Sequence, residues 1–186
     1  GLNRSSLAPG TVFADPYGHI LIVTRWYPQP LDQKQGYGIL MAAEAQPDGT
    51  VGRRRFWRGS FLFAPDTRDV GPGFKHFRPL VYERKSGQLS ALGNRELRDH
   101  VEFAPFSLQQ YRGSREDFYD RVEALINPRP LDPYLRMVSL VDALMETVNR
   151  RVIAVGNGIR YVAESGFAPV EMPGGYAIFE TKGPWE

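Results

Sequence analysis

The sequence predicts an α+β fold in which an antiparallel, barrel-like sheet is followed by a helical hairpin and a closing strand. Short apolar runs separated by turn residues occupy residues 7–82, a pattern typical of antiparallel strands. Apolar residues at helical spacing begin after Gly113, and a last strand-like run covers residues 176–181. We therefore divide the chain into a barrel-like portion, residues 7–82, and a mixed helical subdomain with a C-terminal strand, residues 83–186.

The amino-acid composition excludes several classes of protein and of functional site. A chain of 186 residues, 42% of them hydrophobic, can bury a sizeable core. It has no cysteine, which excludes disulfides, cysteine-bound metals and thiol catalysis from within the chain. A formal net charge of +2 provides no general attraction to nucleic acid, and no apolar run is long enough to span a membrane. Because it begins at Gly1 without methionine, we expect a piece of a longer protein.

The first half of the chain contains the predicted strands. Pro47-Asp48-Gly49 predicts a tight turn between two of them, because proline restricts φ and Asp-Gly accepts the reversal. Ser86-Gly87 predicts a later turn. The expected strands cover residues 11–14, 19–26, 37–45, 50–57 and 74–83, with 60–63 as a continuation of the meander.

Two helices are expected in the second half. Ser114 to Asp117 resembles a capping box, and Asn127-Pro128 predicts the end of that helix. Asp132-Pro133 predicts the start of the second helix, and Gly156-Asn157-Gly158 its end. We expect the two helices to pack as a hairpin on the sheet. The apolar face of the second helix is predicted to comprise Met137, Leu140, Val141, Leu144, Val148, Val152 and Val155.

Three histidines are candidates for chemistry. His19 precedes the most apolar strand and follows Gly18, so it can lie in a cleft; the alternative is a strand-end histidine bonded to a loop carbonyl. His76 is expected at a surface strand position, and His100 in a solvated loop. Their spacing matches no metal motif, and no glycine-rich phosphate loop is present, so we predict neither metal nor cofactor.

The basic run Arg53-Arg54-Arg55-Phe56-Trp57-Arg58 is the sharpest charge feature. On a strand its alternate residues face opposite sides, which would place cations among stacking rings, as on a nucleic-acid or anion platform. The alternative is a strand whose arginines stack on aromatic rings and pair with carboxylates such as Asp66 and Asp69. We favour the alternative, because the chain has no basic excess.

Residues 5–60 resemble the barrel half of NlpC-type and CHAP-type papain-like cysteine hydrolases. The resemblance lies in Leu7-Ala8-Pro9-Gly10 before an apolar strand, and then a turn and His19, which starts the next apolar strand. It continues in the run from Ile39 to Gln46, where small residues precede polar ones, and in Asp48-Gly49-Thr50-Val51. The order and spacing of these short elements carry the resemblance.

The resemblance implies roles for particular residues. His19 would be the catalytic base, and Glu44 or Gln46 would orient its ring, a choice that the sequence leaves open. The nucleophilic cysteine of these families stands on a helix before this segment, whereas here only residues 1–6 precede it. The resemblance therefore implies either an upstream segment or second chain that carries the nucleophile, or an inactive relative. It also implies a peptide or cell-wall stem-peptide amide as substrate, and a location in the cell envelope or outside the cell.

Three functions follow as hypotheses. The first is the barrel part of a papain-like amidase or peptidase. The second is a non-catalytic module that binds peptide or glycan on an aromatic surface with Trp26, Tyr27 and Trp57. The third is an anion or nucleic-acid binder that uses the basic run. The residues that we expect to contact a ligand are Tyr17, Trp26, Arg55 and Trp57.

Overall fold

The computed structural model describes residues 1–30, 36–45, 51–65, 72–99 and 108–166, and within these ranges the fold is α+β as predicted. The strands are β1 (Val12–Ala14), β2 (Ile20–Tyr27), β3 (Ile39–Ala45), β4 (Val51–Arg55), β5 (Gly73–Lys75), β6 (Leu80–Glu83) and β7 (Gln88–Ala91). The helices are α1 (Asn94–Asp99), α2 (Arg115–Ile126) and α3 (Pro133–Glu164). The predicted strand at 176–181 lies outside the described residues.

The main sheet has five antiparallel strands in the order β4-β3-β2-β1-β5. The predicted barrel is wrong, because this sheet stays open with β4 and β5 at its two edges. Strands β1 and β5 have only three residues each, too short for the long, tilted strands that closure requires.

Residues 74–83 form two short strands rather than the single strand predicted. β5 pairs with β1, whereas β6 pairs with β7 in a separate two-stranded sheet. Pro79 lies between them and lacks the N–H that a continuous strand would donate. Gly87, with φ of +69°, forms the predicted turn between β6 and β7. Residues 60–63 are not a strand, although Phe61 and Phe63 are buried.

The core lies between one face of the main sheet and α2. Ser114 caps α2 as predicted: its hydroxyl accepts from the Asp117 N–H, and Asp117 Oδ2 accepts from the Ser114 N–H. Phe118 stacks on Phe63 at 3.8 Å between ring centroids. The buried cluster includes Leu7, Phe13, Leu21, Val23, Leu40, Ala42, Phe56, Phe61, Phe63, Phe74, Phe118, Tyr119, Val122 and Ile126.

Helix α3 differs from its prediction in length. It begins as expected at Pro133 behind the Asp132 cap, but it continues through Gly156-Asn157-Gly158 to Glu164. Glycine lowers helix stability without forbidding the helix, and it favours a helix end where it adopts the left-handed conformation. That conformation occurs at Gly166, where φ is +72°.

The orientation of α3 also differs from the prediction. Its predicted apolar face does not pack on the sheet, since Leu144, Val148 and Val152 are 51%, 49% and 64% exposed. Ala143, on the opposite side, is the helix's buried residue. Among the described residues, no helix is long and apolar enough to cross a membrane.

Candidate functional site

A tight turn positions His19 at the start of β2. Asp15 Oδ1 accepts hydrogen bonds from the backbone N–H groups of Tyr17 and His19, both at 2.8 Å. The Asp15 N–H donates to the His19 carbonyl at 2.9 Å, and Gly18 provides a φ of +87°. This turn fixes the backbone of His19, while its side chain remains 35% exposed. The histidine is therefore held firmly at its backbone and is open to solvent at its ring.

Glu44 enters the site from the neighbouring strand. In the antiparallel register of β2 and β3, Glu44 pairs with Leu21, two residues beyond His19. It follows Leu40 and Ala42 at alternate positions of β3, so it points to the same side of the sheet as the core. Glu44 is only 3% exposed, and a buried carboxylate is costly unless charged or polar groups surround it.

Three cationic or ionisable side chains surround this carboxylate. His19 Nε2 lies 3.0 Å from Glu44 Oε2. Arg54 Nε lies 2.5 Å from Glu44 Oε1, and Arg150 Nη1 lies 3.6 Å from the same oxygen. Neither Glu44 Oε2 nor Arg54 Nε has the alignment of a hydrogen bond, so these are close electrostatic contacts. Arg150 also donates to the Arg53 carbonyl at 3.0 Å, which links α3 to the edge of the sheet.

The second ring nitrogen of His19 is more open. Its Nδ1 lies 3.9 Å from Asp15 Oδ2, which is beyond hydrogen-bond distance. Among the residues that the structure describes, Glu44 thus contacts one nitrogen of the ring and leaves the other available to an incoming group. A histidine held in this way can exchange a proton at Nδ1 while the carboxylate limits rotation of the ring.

The structure separates the other predicted site residues. Gln46 and His100 lie outside the described residues, so Glu44 is the orienting candidate whose position is known. His76 follows β5, and its Nε2 lies 2.5 Å from the carbonyl of Ser6, away from the His19 site. Tyr17 is 83% exposed in the turn beside His19. The guanidinium carbon of Arg4 lies over the Trp26 ring, 5.8 Å from the centroid of that ring.

Arg55 and Trp57 line one cavity of about 310 Å³ between β3, α2 and α3. Leu40, Phe56 and Leu140 form part of its apolar wall. Tyr17 and Trp26 do not line this cavity. The four predicted ligand contacts therefore do not form one surface.

Most of the basic run is engaged in ion pairs within the chain. Arg54 contacts Glu44, Arg55 contacts Glu146 at 2.5 Å, and Arg58 contacts Asp120 at 2.5 Å. These pairs agree with the favoured interpretation, in which the arginines of the run pair with carboxylates of the chain. The carboxylates, however, differ from those expected. Asp66 and Asp69 lie outside the described residues.

A polar cluster that sequence reasoning missed links α3 to the sheet. Tyr37 donates from its hydroxyl to Asp142 and accepts from Arg55 at 3.1 Å. Burial and the hydrogen bond to Asp142 raise the pKa of Tyr37. Burial lowers the pKa of Arg55, but its hydrogen bonds with Tyr37 and Glu146 and the charges of these two partners together outweigh burial and raise that pKa overall. The four-residue spacing of Asp142, Glu146 and Arg150 was the available signal, since it places them on one helix face.

Arg150 joins this cluster to the His19 site. Burial lowers the pKa of Arg150, and so does the nearby charge of Arg54, whereas Glu44 and Glu146 oppose the shift. Two guanidinium groups therefore share the space around Glu44 Oε1. Among the described residues, no group of three or more carboxylates and histidines could hold a metal ion.

Comparison with models of known protein families, with curated proteins and with solved structures finds no match for this chain. The candidate site must therefore be interpreted from its own geometry. Its defining feature is the solvent-accessible His19 in contact with the buried carboxylate of Glu44. Two arginines also lie close to that carboxylate.

Proposed function

We propose that this chain is part of a papain-like amidase or peptidase in which His19 is the base and Glu44 orients it. The nucleophilic cysteine comes from outside this sequence, either from an upstream segment or from a second chain. The substrate class is a peptide amide, including the amides of cell-wall stem peptides. The proposal rests on the resemblance of residues 5–60 and on the 3.0 Å contact between His19 Nε2 and Glu44 Oε2.

The contact supports this role because the two ring nitrogens of a histidine base have different functions. One nitrogen must face the thiol, and the other must be held by a polar side chain that fixes the ring. Glu44 lies on Nε2, and Nδ1 has no hydrogen bond to Asp15. Burial of Glu44 between His19 and Arg54 restricts the carboxylate to this position.

In the proposed reaction, Nδ1 of His19 takes the proton of the external thiol. The thiolate attacks the carbonyl carbon of the amide, and the imidazolium returns its proton to the leaving amine as the C–N bond breaks. Water then attacks the thioester, with His19 taking a proton from the water and returning it to the thiol. The Glu44 side chain holds the ring through Nε2 while the imidazolium forms in each half of the reaction.

The test uses the natural polypeptide that carries this sequence and follows new amine groups released from stem peptides. We expect His19→Ala to lower kcat/KM by about 100-fold or more, the usual effect of a lost general base. We expect Glu44→Gln to lower it by about tenfold, as losses of supporting residues do. Iodoacetamide is expected to abolish the activity.

His76→Ala is the matched control, because the His76 ring lies against the Ser6 carbonyl and, among the described residues, forms no ion pair with the carboxylates that contact His19. Its activity per folded molecule should equal that of the wild type. A polypeptide without any cysteine, or hydrolysis that survives His19→Ala, would contradict the proposal.

A non-catalytic binding module is the second candidate, and the cavity beside Trp57 favours it. The cavity is within the size range of small-ligand sites and combines apolar walls with the Arg55 guanidinium. Such a module would bind a short peptide or glycan there and would not need His19. We expect binding to change Trp57 fluorescence, to weaken in Trp57→Ala and to persist in His19→Ala.

Salt dependence separates this candidate from the anion binder. Binding that weakens steeply with salt would favour the basic run as an anion platform. The ion pairs of Arg54, Arg55 and Arg58 with carboxylates argue against that outcome.

A further inference from the structure

The cavity beside Trp57 lies where a helix would normally pack on its sheet. Its volume is about 310 Å³, and α3 contributes Arg136, Ser139, Leu140 and Ala143 to its lining. The facing walls come from β3, the end of β4 and α2. A helix normally stays on a sheet because apolar side chains fill the space between them. Ala143 is the buried residue of α3 and has a small side chain, so apolar packing contributes little to holding this helix down.

Polar contacts hold this part of α3 in place instead. Asp142 accepts a hydrogen bond from the Tyr37 hydroxyl, and Glu146 Oε1 accepts from Arg55 Nη2 at 2.5 Å. The net contribution of such contacts to stability is small, because water solvates the same groups when the contacts break. The docked position of α3 is therefore only weakly favoured over one in which the helix has moved away.

The linker before α3 is anchored, which defines where the helix can pivot. The side-chain amide of Gln29 donates to the Arg129 carbonyl at 3.0 Å and accepts from the Arg129 N–H at 3.1 Å. Asn127 Oδ1 accepts from the Gly38 N–H at 2.6 Å. The linker is thus tied to the chain after β2 and before β3. The pivot therefore lies between this anchor and the first turn of α3, at residues 130–132.

We propose that residues 133–150 of α3 form a hinged lid over this cavity. In the closed state, which the structure shows, Tyr37 and Arg55 bind the helix. In the open state the helix has turned about residues 130–132, water solvates both groups and a short peptide or glycan can enter beneath it. The regulatory meaning of the lid rests on the proposed binding of a ligand in this cavity, whereas its motion does not.

The lid also reaches the His19 site. Arg150 Nη1 lies 3.6 Å from Glu44 Oε1 and donates to the Arg53 carbonyl at 3.0 Å. Opening the lid withdraws this guanidinium from Glu44, whose other oxygen contacts His19 Nε2. Two sites that share one two-state element are coupled, because each state makes different contacts at both sites. A ligand that changes the position of the lid should therefore change the surroundings of His19.

Hydrogen exchange measures the opening of the lid in this chain alone. Most helical stability in proteins comes from tertiary packing, so a helix that leaves its sheet frays and its amides exchange. We expect Tyr37→Phe and Glu146→Ala each to speed exchange in residues 137–150 by about fivefold or more, the effect of one lost polar contact. Exchange in α2 should keep its wild-type rate, because the core between α2 and the sheet does not depend on the lid.

Two variants on the same helix are matched controls. Tyr134→Phe removes a hydroxyl at a 68% exposed position, and Glu164→Ala removes an exposed carboxylate at the end of α3. Both should exchange like the wild type. Unchanged exchange of the lid in Tyr37→Phe and Glu146→Ala would overturn the proposal. Equal acceleration in α2 and in the lid would also overturn it, since α3 would then open only with the whole fold.

Trp57 reports the opening from inside the cavity that it lines. It is the sole tryptophan in a chain that carries Trp26→Phe and Trp185→Phe. In that background, acrylamide should quench its fluorescence more strongly after Tyr37→Phe or Glu146→Ala, because the open lid exposes the indole to the quencher. Quenching that stays the same would show that the helix frays without uncovering the cavity, and it would overturn the lid.

The ring of His19 tests the link between the two sites. Its NMR signals should move in Glu146→Ala as they do in Arg150→Gln, whereas those of His76, which lies against the Ser6 carbonyl, should stay in place. His19 signals that move only in Arg150→Gln would overturn the coupling. None of these measurements follows hydrolysis or ligand binding, so the lid and the proposed function can fail separately.

Discussion

Arg54 Nε lies 2.5 Å from Glu44 Oε1, the carboxylate oxygen that His19 does not contact. The two residues occupy adjacent strands and point to the core side of the sheet, where Ala42 pairs with Arg54. Glu44 is therefore buried with an arginine on one oxygen and a histidine on the other. The stability of the sheet and the position of His19 depend on the same carboxylate.

Removing the arginine should destabilise the fold. Arg54→Met leaves the Glu44 charge buried with Arg150 as its remaining guanidinium, and we expect a loss of about 1–3 kcal/mol in the free energy of unfolding. Adding Glu44→Gln to this variant should recover part of the loss, because the unpaired charge is gone. Urea unfolding of the four proteins of the cycle measures the coupling.

Arg53→Met is the control for that cycle, since its side chain lies on the opposite face of β4. Its free energy of unfolding should remain within about 0.5 kcal/mol of the wild type. Additive losses in Arg54→Met and Glu44→Gln would show that the two charges are not coupled.

The hydroxyl of Tyr119 connects α2 to the segment after β4. It donates to the Phe61 carbonyl at 2.8 Å and accepts from the Phe63 N–H at 3.1 Å. Tyr119→Phe leaves both backbone groups buried without this partner, so we expect a loss of about 2 kcal/mol in unfolding free energy. Tyr82→Phe, at a 60% exposed position, should change it little. Equal stability of the two variants would contradict this role.

Phe118 should be the most sensitive aromatic residue of α2. It is fully buried, stacks on Phe63 and meets Tyr119 edge to face at 5.4 Å. Phe118→Ala creates a cavity that these rings cannot fill, and we expect a loss of about 3–5 kcal/mol by chemical denaturation. Phe77→Ala removes the same atoms from an 80% exposed position and should cost far less. If Phe118→Ala lost as little unfolding free energy as Phe77→Ala, the cluster around Phe118 would have relaxed to fill the space.

The carboxylate in the N-terminal cap of α2 should make the stability of the fold depend on pH in the acid range. Hydrogen bonds from the backbone and hydroxyl of Ser114 lower the pKa of Asp117. The unfolded carboxyl has a pKa of about 3.9, so the cap stabilises fully above that value and loses its effect as pH falls through the lower folded pKa. The difference in unfolding midpoint between wild type and Asp117→Asn should therefore be constant above about pH 5 and shrink below about pH 4. A difference that stays constant down to pH 2.5 would contradict this linkage.

Local patterns predicted several elements correctly, for reasons that act over a few residues. The Ser114 to Asp117 motif determines the start of α2 because both partners of its hydrogen bonds lie within one turn. Alternation along β3 places Leu40, Ala42 and Glu44 on one side, since side chains of a strand alternate faces. The resemblance implied Glu44 or Gln46 as the partner of His19 without choosing between them, and the position of Glu44 on the core side of β3 agrees with the first of these.

Local patterns of the same kind led to wrong predictions for the length and the orientation of α3. Gly156-Asn157-Gly158 predicts a helix end, but α3 continues for about two more turns to Glu164 and ends just before the left-handed Gly166. The apolar side of α3 predicts packing on the sheet, but Tyr37 and Arg55 bind the opposite side of the helix. Neither residue is close to α3 in the sequence.

The cysteine-free sequence by itself determined the first four strands of the main sheet and the caps of both long helices, and it left Glu44 or Gln46 open as the partner of His19. Only the tertiary structure decided that Arg54 and Arg150 converge on Glu44, that the sheet stays open and that α3 turns its apolar side outward. Backbone periodicity and capping are short-range and can be predicted from neighbouring residues. The partner of a buried charge and the face that a helix buries depend on contacts between residues about 100 positions apart, such as Glu44 and Arg150.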